Sequence, residues 1–204
     1  MRLFFDVDGV LLNFERAFVQ WLNDHQGLGL PEDYETTSWY FEEVMPEEEC
    51  KNAWHHFLGS DDAARMQPYV DPAHFNTLTA NRAVHLLTNF PHSSWEKRMQ
   101  NLQAIGFKYD SVHHCGFNSF DSGDTPSKSE VITRLLQPGE AGLFVDDHPQ
   151  NCLDVVRNCP QVEVWLMSRR FNQGFEHPQI HRARDWSSVT GRIGNGADRS
   201  RSLS

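Results

Sequence analysis

The stretch "RLFFDVDGVLLNF", residues 2–14, decides the fold. Its apolar lead-in shows no polar alternation, so it reads as a short strand buried on both faces, the kind found in parallel sheets. The run ends in two carboxylates, Asp6 and Asp8, followed by Gly9. Burying such groups is expensive unless something meets them. A strand end that carries two of them therefore calls for a partner.

Further apolar runs extend the pattern: "AVHLLT" (83–88), "SVHHC" (111–115), "GLFVD" (142–146) and "VEVWLM" (162–167). Helical patterns lie between them. "SSWEKRMQNLQAIG" places Ser93 three residues before Glu96, as a capping box does, spaces Trp95, Met99 and Leu102 along one face, and closes on Gly106. "TPSKSEVITRLLQPG" offers Thr125 as N-cap with Pro126 at the first helical position, and "PQNCLDVVRNCP" (149–160) is a third helix. Strands alternating with such helices predict an α/β fold, a doubly wound, Rossmann-like parallel sheet.

One region departs from that rhythm. Roughly 70 residues separate the first two strands, more than one crossover helix needs. Phe14, Phe18, Trp21 and Leu22 share a helical face there, and an acidic, aromatic segment follows. The expected organisation is a core of residues 1–13 and 71–190, a small helical insert of 14–70, and a flexible tail of 191–204, "GRIGNGADRSRSLS".

Composition narrows the function classes. Of 204 residues, 39% are hydrophobic and 23% charged, as in folded globular proteins. A formal charge of −10 opposes binding to a nucleic acid polymer. No apolar run approaches the roughly 20 residues that span a bilayer, and the N-terminus shows no signal peptide, so a cytoplasmic protein with no membrane partner is expected. The four cysteines form no CxxC pair and read as free thiols. The pairs His55-His56 and His113-His114 lack metal-ligand spacing, and Trp54, His55 and His56 read as packing within the insert.

In an open parallel sheet, ligands bind beyond the carboxyl ends of the strands. Asp6 and Asp8 lie at one such end, Thr88 and Asn89 at a second, Asp146 and Asp147 at a third. Lys128 opens the helix that leads to the last. If these ends converge, clustered carboxylates repel one another, which a hard divalent cation such as Mg²⁺ relieves. With Lys128 for a phosphoryl group and Thr88 as a neutral donor, the set suits phosphoryl transfer. One carboxylate attacks phosphorus and a second moves the leaving-group proton.

"DVDGV" after an apolar strand, a strand ending in Thr, a later Lys and a strand ending in "DD" resemble, in that order, the haloacid dehalogenase-like (HAD) hydrolase superfamily over residues 3 to about 167. The resemblance implies catalytic roles for four residues. Asp6 is the nucleophile that becomes an aspartyl-phosphate and Asp8 the general acid/base. Thr88 is the hydroxyl on a phosphate oxygen, with Asn89 beside it, and Lys128 steadies nucleophile and phosphoryl group. It implies Mg²⁺ held by Asp6, the backbone carbonyl of Asp8 and Asp147, with Asp146 acting directly or through water. Dehalogenases of this superfamily typically lack the second aspartate, so Asp8 points to a phosphatase.

The insert stands where this superfamily often carries a cap. The layout is similar to the 5′(3′)-deoxyribonucleotidases, whose Phe soon after the nucleophile and cap aromatics pack on a nucleobase. Phe14, Trp39, Tyr40 and Phe41 are the matching candidates, although Phe14 also fits the insert's own core. This chain has Thr88-Asn89 where those enzymes commonly show Thr-Ser. His148, Arg169 and Arg170 follow strand ends and are candidates to border the site; for the two arginines the readings are contact with a distal anion and, preferred, surface charge. The expected ligand is a small phosphorylated metabolite. The alternatives are a non-catalytic phosphate-binding regulator and a protein phosphatase, against which a lid over the site argues.

Overall fold

The computed structural model describes residues 1–116 and 125–198, with side chains up to Gly194. Six strands form one sheet: β1 (Arg2–Asp6), β2 (Val84–Thr88), β3 (Ser111–His114), β4 (Gly142–Asp146), β5 (Val162–Met167) and β6 (Ile180–Ala183). Their order is β3-β2-β1-β4-β5-β6, and every pairing is parallel. The order reverses between β1 and β4, which opens a crevice at the carboxyl ends of the two central strands.

The strands are apolar on both sides because both sides are covered. Leu3 and Phe5 of β1, with Leu143 and Val145 of β4, pack on one face with α1 (Phe14–Gln26), α2 (Glu47–Gly59), α3 (Pro72–Thr79), α4 (Trp95–Ile105) and α7 (Trp186–Asp198). Phe4, Leu87 and Phe144 point the other way, onto α5 (Lys128–Leu135) and α6 (Pro149–Asn158). The first of these clusters runs without a break from the sheet into Phe18, Trp54 and Phe57 of the segment between β1 and β2.

Local chemistry corrects several boundaries. α5 begins two residues later than the Thr125-Pro126 pattern suggests, because Ser127 and Glu130 form a reciprocal capping box. At α4 no side-chain cap forms. A 3₁₀ turn, His92–Ser94, enters the helix instead, while Gly106 closes it in the left-handed conformation at φ 84°. The expected tail is helical as far as Asp198, since Val189 and Ile193 of α7 are buried and Arg192 pairs with Glu163 at 2.5 Å. Residues 199–204 lie outside the described residues. β6 has no counterpart in the sequence reading.

Candidate active site

The turn after β1 is wound tightly. Leu11 and Leu12 N–H groups donate to the Val7 carbonyl at 2.9 and 2.8 Å, and Gly9 N–H donates to Leu12 O at 2.9 Å. Gly9 sits at φ +74°, and a Cβ there would lie 1.8 Å from Asp147 Oδ2. Only glycine lets the two strand ends approach this closely. Trp186 Nε1 donates to Val10 O at 2.8 Å, and an Arg169 guanidinium N–H donates to Gly9 O, so the turn is fastened from two further elements.

The strand ends converge as expected. Lys128 Nζ, at the start of α5 and 1% exposed as a side chain, lies 2.8 Å from Asp6 Oδ1 and 2.6 Å from Asp146 Oδ2. Asp146 Oδ1 accepts from His148 N at 2.7 Å and Asn151 Nδ2 at 3.2 Å, so both its oxygens are engaged. Asp147 is also buried, but its Oδ1 has no hydrogen-bond partner among the described residues. Ligand atoms of Asp6, Asp146 and Asp147 all lie within 4.8 Å of one another.

Such crowding has an electrostatic signature. Burial pushes the Asp6 carboxyl up to about 8; Lys128 pulls against this, while Asp146 and Asp8 add to it. Burial and the charges of Asp6 and Asp146 hold Asp147 well above the usual carboxylate range, although Arg169 and Lys128 oppose them. Burial alone would lower the Lys128 ammonium, yet Asp146 and Asp6 raise it overall. One ammonium does not neutralise three carboxylates. All the donors are oxygens, and one buried oxygen is orphaned. The set therefore fits a hard divalent cation.

Asp8 has a different setting. Both its oxygens lie 2.5 Å from Nη2 of Arg98, and Thr88 Oγ1 donates to Oδ2 at 3.3 Å. Arg98 comes from α4, is 1% exposed, and lies over the Phe90 ring with Cζ 4.3 Å from its centroid. The sequence reading missed it. The available signal was its spacing, three residues after Trp95 and four before Leu102, which puts a charged residue on the helix's apolar face.

Above the carboxylates lies a chamber of about 450 Å³. Asp6, Asp8, Asn89, Lys128 and Asp147 line its floor, and Phe14, Trp39, Tyr40, Phe41 and Trp54 line its walls. Thr88 is not among the lining residues, being fully buried behind Asp8. Phe14 contacts Phe18, Trp54 and Phe57 at ring-centroid distances of 5.5–5.7 Å, so it serves the local core and the chamber wall together. Tyr40 packs on Trp54 at 5.2 Å, with Lys51 Nζ 5.2 Å from its own ring. Trp39 meets Trp54 at 5.9 Å and reaches the core, edge-on to His148 at 4.3 Å and to Phe171 at 5.2 Å.

Two sequence expectations change here. Arg169 is not plain surface charge: it lines the chamber, stacks 4.1 Å from the Tyr69 ring centroid and holds Gly9, whereas Arg170 is exposed. Trp54 and His55, expected to serve packing, also line the chamber. Glu15, adjacent to Phe14, is a further lining residue that the sequence reading did not single out.

The molecule is an α/β protein with an all-parallel sheet, and its acidic side chains cluster at the central switch point, the place where open sheets of this class bind ligands. No protein-family model matches the sequence, and no curated protein matches it. Solved structures do match. A protein tyrosine kinase from Mycobacterium tuberculosis shares 16% identity with a TM-score of 0.64, over 95% of this chain and 98% of that one. L-2-haloacid dehalogenase from Xanthobacter autotrophicus shares 15% identity with a TM-score of 0.61, over 96% and 98%. D,D-heptose 1,7-bisphosphate phosphatase from B. bronchiseptica, complexed with magnesium and phosphate, shares 15% identity with a TM-score of 0.55, over 96% and 99%. Further matches are HAD-superfamily hydrolases from Geobacter sulfurreducens, Ehrlichia chaffeensis and Bacillus subtilis. The chain has the fold of the HAD-superfamily hydrolases.

Proposed function

We propose that the protein is a Mg²⁺-dependent phosphomonoester hydrolase that works through an aspartyl-phosphate on Asp6. The observation that carries this reading is the pairing of Asp6 with the buried Lys128 at 2.8 Å, on the floor of a chamber large enough for a small organic phosphate. Fold likeness to a phosphatase with bound magnesium and phosphate supports it.

The chain's own groups divide the work. Asp6 is mounted on a strand buried on both faces, which limits its motion and lets it attack phosphorus in line. Lys128 holds the nucleophile's carboxylate and faces the charge that develops on the phosphoryl oxygens. Asp8 carries the proton: it gives one to the departing oxygen, then takes one from the water that cleaves the aspartyl-phosphate. Arg98 and Thr88 hold Asp8 in place meanwhile. Mg²⁺, held by Asp6, Asp147 and the Asp8 carbonyl, would neutralise the carboxylate cluster and the phosphate charge. Asp146, with both oxygens occupied by Lys128, His148 and Asn151, orients the lysine rather than competing for the ion.

The substrate class we favour is a nucleoside monophosphate. The aromatic walls would take the base, with stacking of about 1–3 kcal/mol per base, and Asn89 would contact the phosphate end. The test is phosphate release across nucleotides, sugar phosphates and an aryl phosphate, with Mg²⁺ or chelator. Metal-dependent turnover, reduced about 10³-fold or more in Asp6→Asn, is expected for a lost nucleophile. A folded, Mg²⁺-binding protein that hydrolyses none of them would sink this reading and favour a phosphate-binding regulator.

A further inference from the structure

Among the aromatic residues of the chamber wall stand a few polar ones, Glu15, Thr36, Lys51 and Arg169, and Glu15 is the one carboxylate among them. Glu15 stands in the first turn of α1, and its Oε1 accepts the backbone N–H of Thr36. Its Oε2 has no hydrogen-bond partner among the described residues. Arg169, on the same wall, attracts Glu15 by its charge, but its guanidinium donates its hydrogen bonds to the carbonyls of Ser168 and Gly9 and stacks on Tyr69.

Thr36 is itself immobilised. It is 3% exposed, and its single hydroxyl hydrogen faces two acceptors, Ser38 O at 2.7 Å and Glu43 Oε1 at 2.8 Å. Glu43 also accepts from Thr37 N at 2.6 Å, Ser38 Oγ at 2.6 Å and Tyr34 Oη at 2.8 Å. Glu15 is thus pinned through one oxygen by a braced strap, and its side chain lines the chamber. Burial pushes its carboxyl up to about 7, against the Thr36 hydrogen bond. A half-buried acceptor among aromatic faces is costly until a donor meets it.

Resting on the phosphatase reading above, we propose that Glu15 is a specificity-determining residue. It selects phosphate esters whose leaving alcohol carries a planar heteroaromatic ring with an N–H donor on its edge. The ring would lie among Phe14, Trp39, Tyr40 and Trp54, with its N–H on Glu15 Oε2. A site built to accept an N–H discriminates far more sharply than an apolar wall does, because the unmatched ester leaves a buried acceptor unpaired.

Glu15→Gln is the informative variant. Its amide oxygen still accepts the Thr36 N–H, so the strap keeps its anchor, while the group facing the chamber becomes a donor. Two Mg²⁺-supported kcat/KM values are compared, one for a nucleoside monophosphate with an N–H on its ring edge and one for phenyl phosphate, which has none. In Glu15→Gln the ratio of the first to the second should fall at least about tenfold, carried mainly by KM. An unchanged ratio would overturn the proposal, since a purely structural role would lower both esters alike. Binding of the matching nucleoside, measured by calorimetry, gives a readout that needs no turnover. Wild-type binding weakened about tenfold in Glu15→Gln supports the role of Glu15 even if no ester is hydrolysed, in which case only the phosphatase reading fails. Equal binding by both proteins overturns the role even where turnover is present.

Discussion

At the scale of single residues, the least expected partner in the site is Arg98. A guanidinium removed from water is costly, and two of its nitrogens, Nε and Nη1, have no hydrogen-bond partner among the described residues. Among the described residues, the one ion pair it makes is with Asp8, through Nη2, and the Phe90 ring lies under it. That cost is explicable if Arg98 fixes the position of the proton carrier. Arg98→Met should therefore lower kcat by about 10²-fold, the scale of a misplaced catalytic group, with a smaller change in KM. Arg98→Lys should recover only part of the loss, because an ammonium cannot present a planar nitrogen to both oxygens. Steady-state kinetics decides it: equal losses in kcat/KM and thermal stability, with kcat itself intact, would make Arg98 merely structural. Asp6, Asp8, Lys128, Asp146 and Asp147 were legible in the sequence because each stands at a predictable strand or helix end. Arg98 and Glu15 were not, because helix periodicity says which face a residue is on but not which neighbour the fold brings to it.

At the scale of elements, the segment from Tyr34 to Met45 works as a preformed wall. Burial would raise the Glu43 carboxyl, but hydrogen bonds from Ser38, Thr37 and Tyr34 more than offset this and hold it at about 2. Phe41 adopts φ 54°, a left-handed conformation that a bulky residue tolerates only when its surroundings impose it. Its ring is buried against Phe18 and Tyr34. The next ring but one, Trp39, bridges this wall to the core through His148 and Phe171. Aromatic contacts of this geometry contribute about 0.5–1.5 kcal/mol each beyond area burial. Trp39→Ala should thus raise KM for an aromatic phosphate ester by roughly 10-fold and lower kcat less, as titrations of the variant would show. A loss confined to kcat would mean that Trp39 does not help hold the ester. The strands themselves were readable wherever they are buried on both faces. β6 escaped because "IHRA" is an edge strand with exposed and half-buried polar positions. The end of α7 escaped because its glycines and serines mask two buried residues, Val189 and Ile193.

At the scale of the whole molecule, the fold concentrates acidic groups in its interior on a chain whose formal charge is already −10. Asp6 rises from an ordinary 3.8 to about 8 in the folded, metal-free protein, chiefly through burial. Folded protein then binds more protons than unfolded protein between those two values, so stability is greatest below pH 4 for this group and declines as pH rises towards 8. Asp147 shifts in the same direction and adds to the decline. In chelator, the melting temperature should fall between pH 5 and pH 8 by about 5–10 °C, the equivalent of a few kcal/mol in a domain of this size. Mg²⁺ needs the same carboxylates deprotonated, so its stabilising effect should grow over that interval and be largest at pH 8. General charge repulsion would also soften the protein as histidines lose their protons to leave a more acidic chain. Asp6→Asn separates the two causes, since it removes one shifted carboxylate and leaves the remaining surface charge alone. Its metal-free melting temperature should depend less steeply on pH than that of the wild type. Identical slopes for the two proteins, or a Mg²⁺ effect as large at pH 5 as at pH 8, would show that the buried carboxylates are not what couples this fold to its ion.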